Sequence, residues 1–410
     1  MSTHGFLGRQ MAPSTPPKPT SSWTILAALA VAVVTVEVGC GATDETESLP
    51  EEVRDALVVM LEDVWPEVVQ KQLNVARDAA DDLHASALEW SAESSSADTR
   101  AAMQTAWIDA MTAWQAADTM QIGAAGSSLK VFGGKDIRDE FYSWPLTNRC
   151  LVDQRTARLE FGSETFFEDT LINSYGFDAL EVLIFSTPYE HSCPSQVLSE
   201  SLWEGLGEDG VAQARADYAV VVSDHILDDI TRIEMDWEDN FRADLASAGQ
   251  NDSSFTSDLA GANAIFDALF YLETTVKDKK LGWPLGLSDC GVDDCSTKIE
   301  TPIAGGSQLW VAANLEGFRS LYTGGESLGM YDLLVAVGEQ SLADEVLANL
   351  DEADQVLATL TGPLDETLVA DPDALVAAHA AVKNITDLLK SDIATVLTLQ
   401  VPLEAAGDND

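Results

Sequence analysis

Apolar residues recur three and four positions apart along most of the chain after residue 50, in stretches rich in Ala, Leu, Glu, Asp and Gln. This spacing gathers apolar side chains on one face of an α-helix, whereas the alternation typical of β-strands is nearly absent. The pattern therefore predicts an all-α fold. The predicted helices span 50–90, 98–121, 163–187, 208–248, 255–280, 304–323, 328–360 and 371–397.

Two local signals refine these helices. Ser96-Ala97-Asp98 offers an N-terminal cap for the second helix, because a serine oxygen can accept hydrogen bonds from the first turn. Pro66 has no amide hydrogen and predicts a kink or break in the first helix.

A repeated motif indicates two halves. The letters WPL followed by CxVD occur within Trp144–Asp153 and again within Trp283–Asp293. Duplication of a four-helix unit is the simplest explanation of such an echo. We therefore predict two four-helix-bundle-like halves, an N-terminal bundle at 51–250 and a C-terminal bundle at 251–410, divided near 248–255.

The N-terminus carries a predicted export signal. An apolar run from Trp23 to Val36 has the length of a signal-peptide core and is short for a membrane span. It ends at Gly39-Cys40, which resembles the cleavage box of bacterial lipoproteins, whose cysteine is lipidated. We predict a lipoprotein-type signal peptide at 1–40 and an acidic linker at 41–50, with a plain secretory signal as the alternative. We therefore expect an exported protein of the cell envelope or periplasm, attached to the membrane through a lipid on Cys40.

Five cysteines fit this location, because disulfides persist outside the cytoplasm. With Cys40 as the lipid anchor, four cysteines remain for two pairs. The short spacing of Cys290 and Cys295 favours one disulfide between them and a second between Cys150 and Cys193.

The charge balance excludes one class of partner. The chain has 22 Lys and Arg residues against 69 Asp and Glu residues, a net charge of −47. Such a surface repels phosphate backbones, so we expect no nucleic-acid binding. It favours cations, and it would also keep a protein soluble in a salty habitat.

Common catalytic signatures are missing from the sequence. It contains no HExxH, no GxSxG and no glycine-rich phosphate loop. The histidines are not spaced as zinc ligands, and we interpret them as surface or capping residues. After Cys40 they are His84, His191, His225 and His379.

Two carboxylates stand out in the apolar segment 176–185. Asp178 and Glu181 are three positions apart, which places both on one face of a helix. Two buried acids this close must share a proton, bind a cation or be neutralised by an arginine. The first interpretation is a set of oxygen ligands for a metal; the alternative is an interior ion pair with an arginine such as Arg138, Arg149 or Arg155.

A third acid lies on another apolar helix. Trp107, Met111 and Trp114 follow one helical face and are interpreted as core packing. Asp118 is the exception on this helix, and it could bring a third carboxylate to the first two.

Taken in order, these motifs resemble the imelysin-like family of bacterial envelope proteins, which includes iron-regulated proteins. The resemblance covers roughly residues 50–400 and is closest to the branch described as periplasmic lipoproteins. It depends on the order and spacing of eighteen positions. They are Trp107, Trp114, Asp118, Gly123, Trp144, Pro145, Gly176, Asp178, Glu181, Gly282, Pro284, Leu285, Gly286, Ser307, Asn314, Leu315, Tyr322 and Gly324.

The resemblance implies two four-helix bundles with a site between them, and a GxHxxE motif proposed to bind metal. Gly176 and Glu181 match this motif, but Asp178 stands at the histidine position and Asp118 at that of a further glutamate. The histidine-to-aspartate difference leaves only oxygen ligands. Such a site suits iron, calcium, manganese or magnesium better than zinc.

Three functions follow as hypotheses. The first is a cation-binding envelope protein, with iron or calcium held by Asp118, Asp178 and Glu181. The alternative is a non-catalytic interaction or structural module that has lost the ligand site. A metallopeptidase is suggested only by the historical name of the family, and we do not favour an enzyme.

Overall fold

The protein is helical throughout its regular structure. The computed structural model describes residues 50–360 and 362–406, apart from the side chain of Glu200. These residues contain no β-strand, so the all-α prediction is confirmed. The α-helices are α1 (Glu51–Val64), α2 (Gln70–Ala92), α3 (Ala97–Asp118), α4 (Arg149–Arg158), α5 (Phe166–Asp169), α6 (Phe177–Phe185), α7 (Glu200–Asp236), α8 (Arg242–Ala246), α9 (Asp258–Leu269), α10 (Trp283–Leu285), α11 (Ser307–Thr323), α12 (Met330–Ala336), α13 (Gln340–Leu357), α14 (Leu364–Ala370), α15 (Pro372–Leu388), α16 (Ala394–Val396) and α17 (Leu403–Ala406).

The predicted signal peptide at 1–40, its anchor Cys40 and the acidic linker before residue 50 lie outside the described residues. These features stay predictions. Within the described part, no helix combines the length and the apolar character needed to cross a bilayer.

Pro66 does not break the first helix. The chain passes from α1 to α2 through a wider π-helical turn at Trp65–Val69. Trp65 anchors this turn, because its ring stacks on Trp237 at a centroid distance of 5.1 Å and its Nε1 donates to Glu238 over 3.0 Å. The prediction of a kink or break is replaced by a local widening of a continuous helix.

The prediction of one helix over 163–187 is wrong for most of that range, since only Phe177–Phe185 forms a sustained α-helix there. Gly176 explains the late start. Its φ is +84°, and a Cβ atom on it would lie 2.3 Å from the carbonyl oxygen of Phe141. The chain therefore turns sharply around the Phe141 backbone before α6 begins.

Other boundaries also differ from the prediction. The sequence pattern missed α4, which begins where the side chain of Asn148 accepts a hydrogen bond from the amide of Leu151 over 3.1 Å. The helix predicted at 328–360 is divided into α12 and α13 at Gly338, whose φ is +90°. A left-handed residue ends a helix because the hydrogen-bond ladder cannot continue through it.

A connected hydrophobic core includes buried residues from α1 through α17. Two long helices cross closely within it: the rings of Trp107 on α3 and Trp310 on α11 meet edge to face at 5.8 Å. Gly317 lets α11 approach α3, because a Cβ there would lie 2.1 Å from the carbonyl oxygen of Ala116. The division into bundles at 51–250 and 251–410, and their duplication, stay predictions.

The two copies of the WPL motif lie in contact. The rings of Trp144 and Trp283 are 5.6 Å apart, although their backbones differ. The Trp144–Pro145 peptide bond is cis, whereas Trp283 begins the short helix α10.

Two disulfides are present. Cys150 bonds to Cys193 and Cys290 to Cys295, which are the pairings that the spacing favours. The first disulfide belongs to a small satellite cluster with Leu198, apart from the main core.

We predict that Gly317→Ala destabilises the protein, since the added methyl group must push α11 away from the α3 backbone. Overpacking of this kind costs about 1–3 kcal/mol. Urea unfolding followed by circular dichroism measures the change.

Gly205→Ala is the matched control. Gly205 lies in α7, and a Cβ there meets no atom within 4 Å. Because alanine favours helices over glycine, this change should leave stability equal or slightly higher. Equal stability of the two variants would contradict the close approach of α3 and α11.

Candidate functional site

The imelysin-like motif lies on α6 and in the turn before it. Asp178 and Glu181 occupy one helical turn and are each only 3% exposed. The amide of Phe177 donates to the carbonyl of Phe141 over 2.9 Å, which fixes the start of the helix. The prediction that both acids are buried on an apolar helix is correct in this structure.

Asp178 holds the turn that precedes the cis peptide bond. Its Oδ2 accepts hydrogen bonds from the amide of Ser143 (3.0 Å), the hydroxyl of Ser143 (3.2 Å) and the amide of Trp144 (2.8 Å). Burial raises the pKa of Asp178, and these three donors oppose the shift. The side chain therefore acts as a clamp on residues 143–144.

Glu181 makes a similar clamp on a distant segment. Its Oε1 accepts from the amides of Ile303 (2.8 Å) and Ala304 (2.9 Å), just before α11. Burial raises the pKa of Glu181 to about 7; the two amides lower it, and the nearby charge of Asp178 raises it.

Asp118 lies at the end of α3 with no solvent exposure. Arg138 donates to both of its oxygens, from Nε over 3.0 Å and from Nη2 over 3.2 Å. The hydroxyl of Tyr271 donates to Oδ2 over 2.5 Å, and the amide of Gln121 to Oδ1 over 2.8 Å. Burial would lower the pKa of Arg138, but the charge and hydrogen bonds of Asp118 outweigh it and the pKa is raised.

The three predicted ligands thus have separate sets of protein donors. In the described residues, no group of three or more His, Cys, Asp or Glu side chains is arranged to hold a metal ion. Of the arginines considered as partners for Asp178 and Glu181, Arg138 pairs with Asp118 and Arg155 with Glu160 instead. Cation binding at Asp118, Asp178 and Glu181 stays a prediction, and these hydrogen bonds add no support to it.

A buried polar network behind Asp118 was missed by sequence analysis. Lys280 donates from Nζ to Gln115 Oε1 (2.5 Å) and Asn314 Oδ1 (2.9 Å), and it pairs with Glu300 Oε2 at 3.1 Å. The hydroxyl of Tyr142 donates to Glu300 Oε1. A polar residue on an otherwise apolar helix face, such as Gln115, was the available signal.

Burial governs the charges in this network. It lowers the pKa of Lys280 to about 7 and raises that of Glu300. The network joins α3, the π-helical segment Leu272–Gly282 and α11 through side chains that are almost without exposure. Its geometry fits a positioning role in the core, since each polar group faces another.

A cavity of about 570 Å³ lies beside Asp118 and the side chains that donate hydrogen bonds to it. Arg138, Tyr271 and Gln121, which donate to Asp118, also line this cavity, together with Trp144, whose amide donates to Asp178. The cavity volume falls in the range of small-molecule sites, about 300–1,000 Å³. Several residues that donate hydrogen bonds to the buried carboxylates therefore also line a cavity large enough for a small ligand.

Within the described residues, no histidine lines this cavity. His225 stacks on Phe167 at 3.8 Å and its Nε2 lies 3.3 Å from Asp229. His84 lies 3.1 Å from the hydroxyl of Ser223. The interpretation of the histidines as surface or capping residues therefore does not hold for all of them, since His225 packs against an aromatic ring and His379 is buried.

Comparisons with known proteins agree with the motif order. The family model described as Imelysin matches residues 69–391. No curated protein matches the chain. An iron-regulated protein A precursor from Parabacteroides distasonis has a similar structure, with a TM-score of 0.66, 16% identity, and coverage of 85% of this chain and 95% of that chain.

An imelysin-like protein from Psychrobacter arcticum is also similar, with a TM-score of 0.61 and 18% identity, covering 85% of this chain and 97% of that chain. At these identities the two structures establish a shared fold. The family model matches most of the sequence, and the chain therefore belongs to the imelysin family.

Proposed function

We propose that this protein is a non-catalytic binding module of the cell envelope, in which the carboxylates of the imelysin motif hold the binding surface in shape. One observation carries the proposal. Asp178 and Glu181 each accept hydrogen bonds from backbone amides of a different segment, Ser143–Trp144 and Ile303–Ala304.

This use of the carboxylates favours a binding role over hydrolysis. A hydrolytic metal centre needs several ligands around one ion and an open position for water. In this chain Asp178 replaces the histidine of the motif, and the third acid, Asp118, is bonded to Arg138 and Tyr271. The carboxylates therefore hold residues of the neighbouring cavity in fixed positions.

The location of the module in the envelope is supported by several features. The apolar run before Cys40 has the pattern of an export signal, and the disulfides Cys150–Cys193 and Cys290–Cys295 suit an oxidising compartment. Attachment to the membrane through lipidated Cys40 is part of the proposal.

A cation site is a second candidate function. Burial and the charge of Asp178 both raise the pKa of Glu181, so a cation between the two acids would relieve their repulsion. One of the similar structures is described as an iron-regulated protein, so iron is one ion to test, and calcium suits the same oxygen ligands.

We predict that the mature protein retains well under one metal ion per chain after loading with iron or calcium and desalting. The double variant Asp178→Asn/Glu181→Gln should retain the same amount, because its amide oxygens keep the hydrogen bonds and only the charges are lost. Metal content by mass spectrometry measures both proteins.

Asp81→Asn/Asp82→Asn is the matched control, since it removes two exposed acids from α2. Near-stoichiometric metal in the wild type and the control, but not in the motif variant, would overturn the proposal and establish the cation site.

We also predict that Glu181 makes stability depend on pH between about 4.5 and 7. Its pKa is about 7 in the folded protein against 4.5 for the ordinary group, so the folded state binds the proton more tightly. Its contribution is therefore fully present below pH 4.5 and is lost as the pH rises through 7. The loss is at most roughly 3 kcal/mol for a shift of this size.

Urea unfolding of the wild type and Glu181→Gln at several pH values tests this prediction. The variant cannot ionise at this position, so its stability relative to the wild type should increase from pH 5 to pH 8. The opposite trend would show that the ionised carboxylate is favoured in the folded protein, as a bound cation requires.

A further inference from the structure

The cavity beside Asp118 and its donors follows one face of a long helical segment. Residues from α9 through the π-helical segment Leu272–Gly282 line it at intervals of one to four positions. They are Ala260, Asn263, Ala264, Asp267, Ala268, Tyr271, Thr274, Thr275 and Lys279. At about 1.5 Å per residue, this face extends over roughly 25–28 Å. The cavity is therefore elongated.

Aromatic rings contribute much of the remaining wall. The rings of Phe132 and Phe255 pack at a centroid distance of 4.4 Å, and both line the cavity with Phe270 and Trp144. Phe132 is 45% exposed, a large fraction for a phenylalanine. An apolar ligand body would cover this surface, and removing apolar surface from water favours binding.

One end of the segment carries an uncompensated positive charge. Lys279 lines the cavity and forms no ion pair within the described part of the chain. Burial lowers its pKa and the positive charges of Arg138 and Lys130 lower it further, whereas the charges of Glu404 and Asp278 raise it. Those two neighbours already have acidic partners, Asp118 and Glu404.

An acid without a counter-charge lies further along the same segment. Asp267 also lines the cavity, and its carboxylate has no hydrogen bond or ion pair among the residues described. Asp267 is exposed, and partial desolvation of its carboxylate by the surrounding protein raises its pKa to about 6. Asp267 and Lys279 are twelve positions apart, which corresponds to roughly 18 Å along a helix. Of the six charged residues that line the cavity, Lys279 and Asp267 are the two without an ion pair in the described part of the chain.

We propose that this cavity binds an elongated organic anion, whose single carboxylate pairs with Lys279 and whose apolar body lies along the aromatic wall towards Asp267. A neutral ligand would leave Lys279 without an anion, and a cationic group beside Lys279 would be repelled. A second carboxylate at the far end of the ligand would face Asp267 and be repelled.

This inference deepens the proposed function, since it names the ligand of the binding module. It does not depend on the metal content of the motif. A failure to bind the ligand would overturn this inference alone, whereas stoichiometric metal at Asp178 and Glu181 would overturn the proposed function alone.

Isothermal titration of the purified mature protein with submicellar dodecanoate tests the proposal. We expect saturable binding that weakens about tenfold in Lys279→Ala, because a charge-assisted hydrogen bond is lost. Lys279→Arg should keep most of the affinity and guards against a folding defect in the alanine variant. Lys71→Ala, which removes an exposed lysine of α2, is the matched control and should bind as the wild type does.

The ligand series separates charge from apolar burial. Dodecylamine should not bind, and dodecanedioate should bind more weakly than dodecanoate, with part of the loss recovered in Asp267→Asn. Equal affinity of Lys279→Ala and Lys71→Ala, binding of dodecanol as tight as that of dodecanoate, or no binding of dodecanoate would each overturn the proposal.

Discussion

A carboxylate removed from water needs hydrogen-bond donors, and this requirement organises the centre of the molecule. Asp178 and Glu181 stand one turn apart on α6, but they take their donors from segments far away in the sequence, at residues 143–144 and 303–304. The short helix α6 thus fixes two loops at once. Since one of these loops carries the cis peptide bond at Trp144 and the other leads into α11, the positions of the cavity wall and of α11 both depend on it.

The same requirement explains the arrangement around Asp118. Its donors Arg138 and Tyr271 come from segments far apart in the sequence and also line the cavity. Behind it, Lys280 and Glu300 are held by further polar side chains. Buried networks of this kind tolerate little change, because a group that loses its partner keeps the full cost of its desolvation. The rigid part of the site is therefore the set of clamps, and the cavity is the part open to a ligand.

Much of the fold could be predicted from periodicity, because long helices such as α2, α3 and α11 present continuous apolar faces. The prediction failed where one residue overrides the local pattern: Gly176 forces a close turn against Phe141, and Gly338 ends α12. For the site, the acids and their burial could be predicted from the apolar surroundings of Asp178 and Glu181. Their hydrogen-bond partners could not be predicted, since every residue type except proline has the same backbone amide.

The distribution of charge links the clamps to the cavity. With a net charge of −47, the surface as a whole repels anions, so the half-buried Lys279 gives its part of the cavity a charge opposite to that of the surface. Screening at physiological salt limits the surface field to about 8 Å, whereas interactions within a partly buried cavity are screened far less. An anion that enters the cavity therefore responds mainly to Lys279, since Arg138 and Lys130 are paired with Asp118 and Glu404. Because Arg138 also binds Asp118, the clamp on α3 and the charge of the cavity depend on the same side chain.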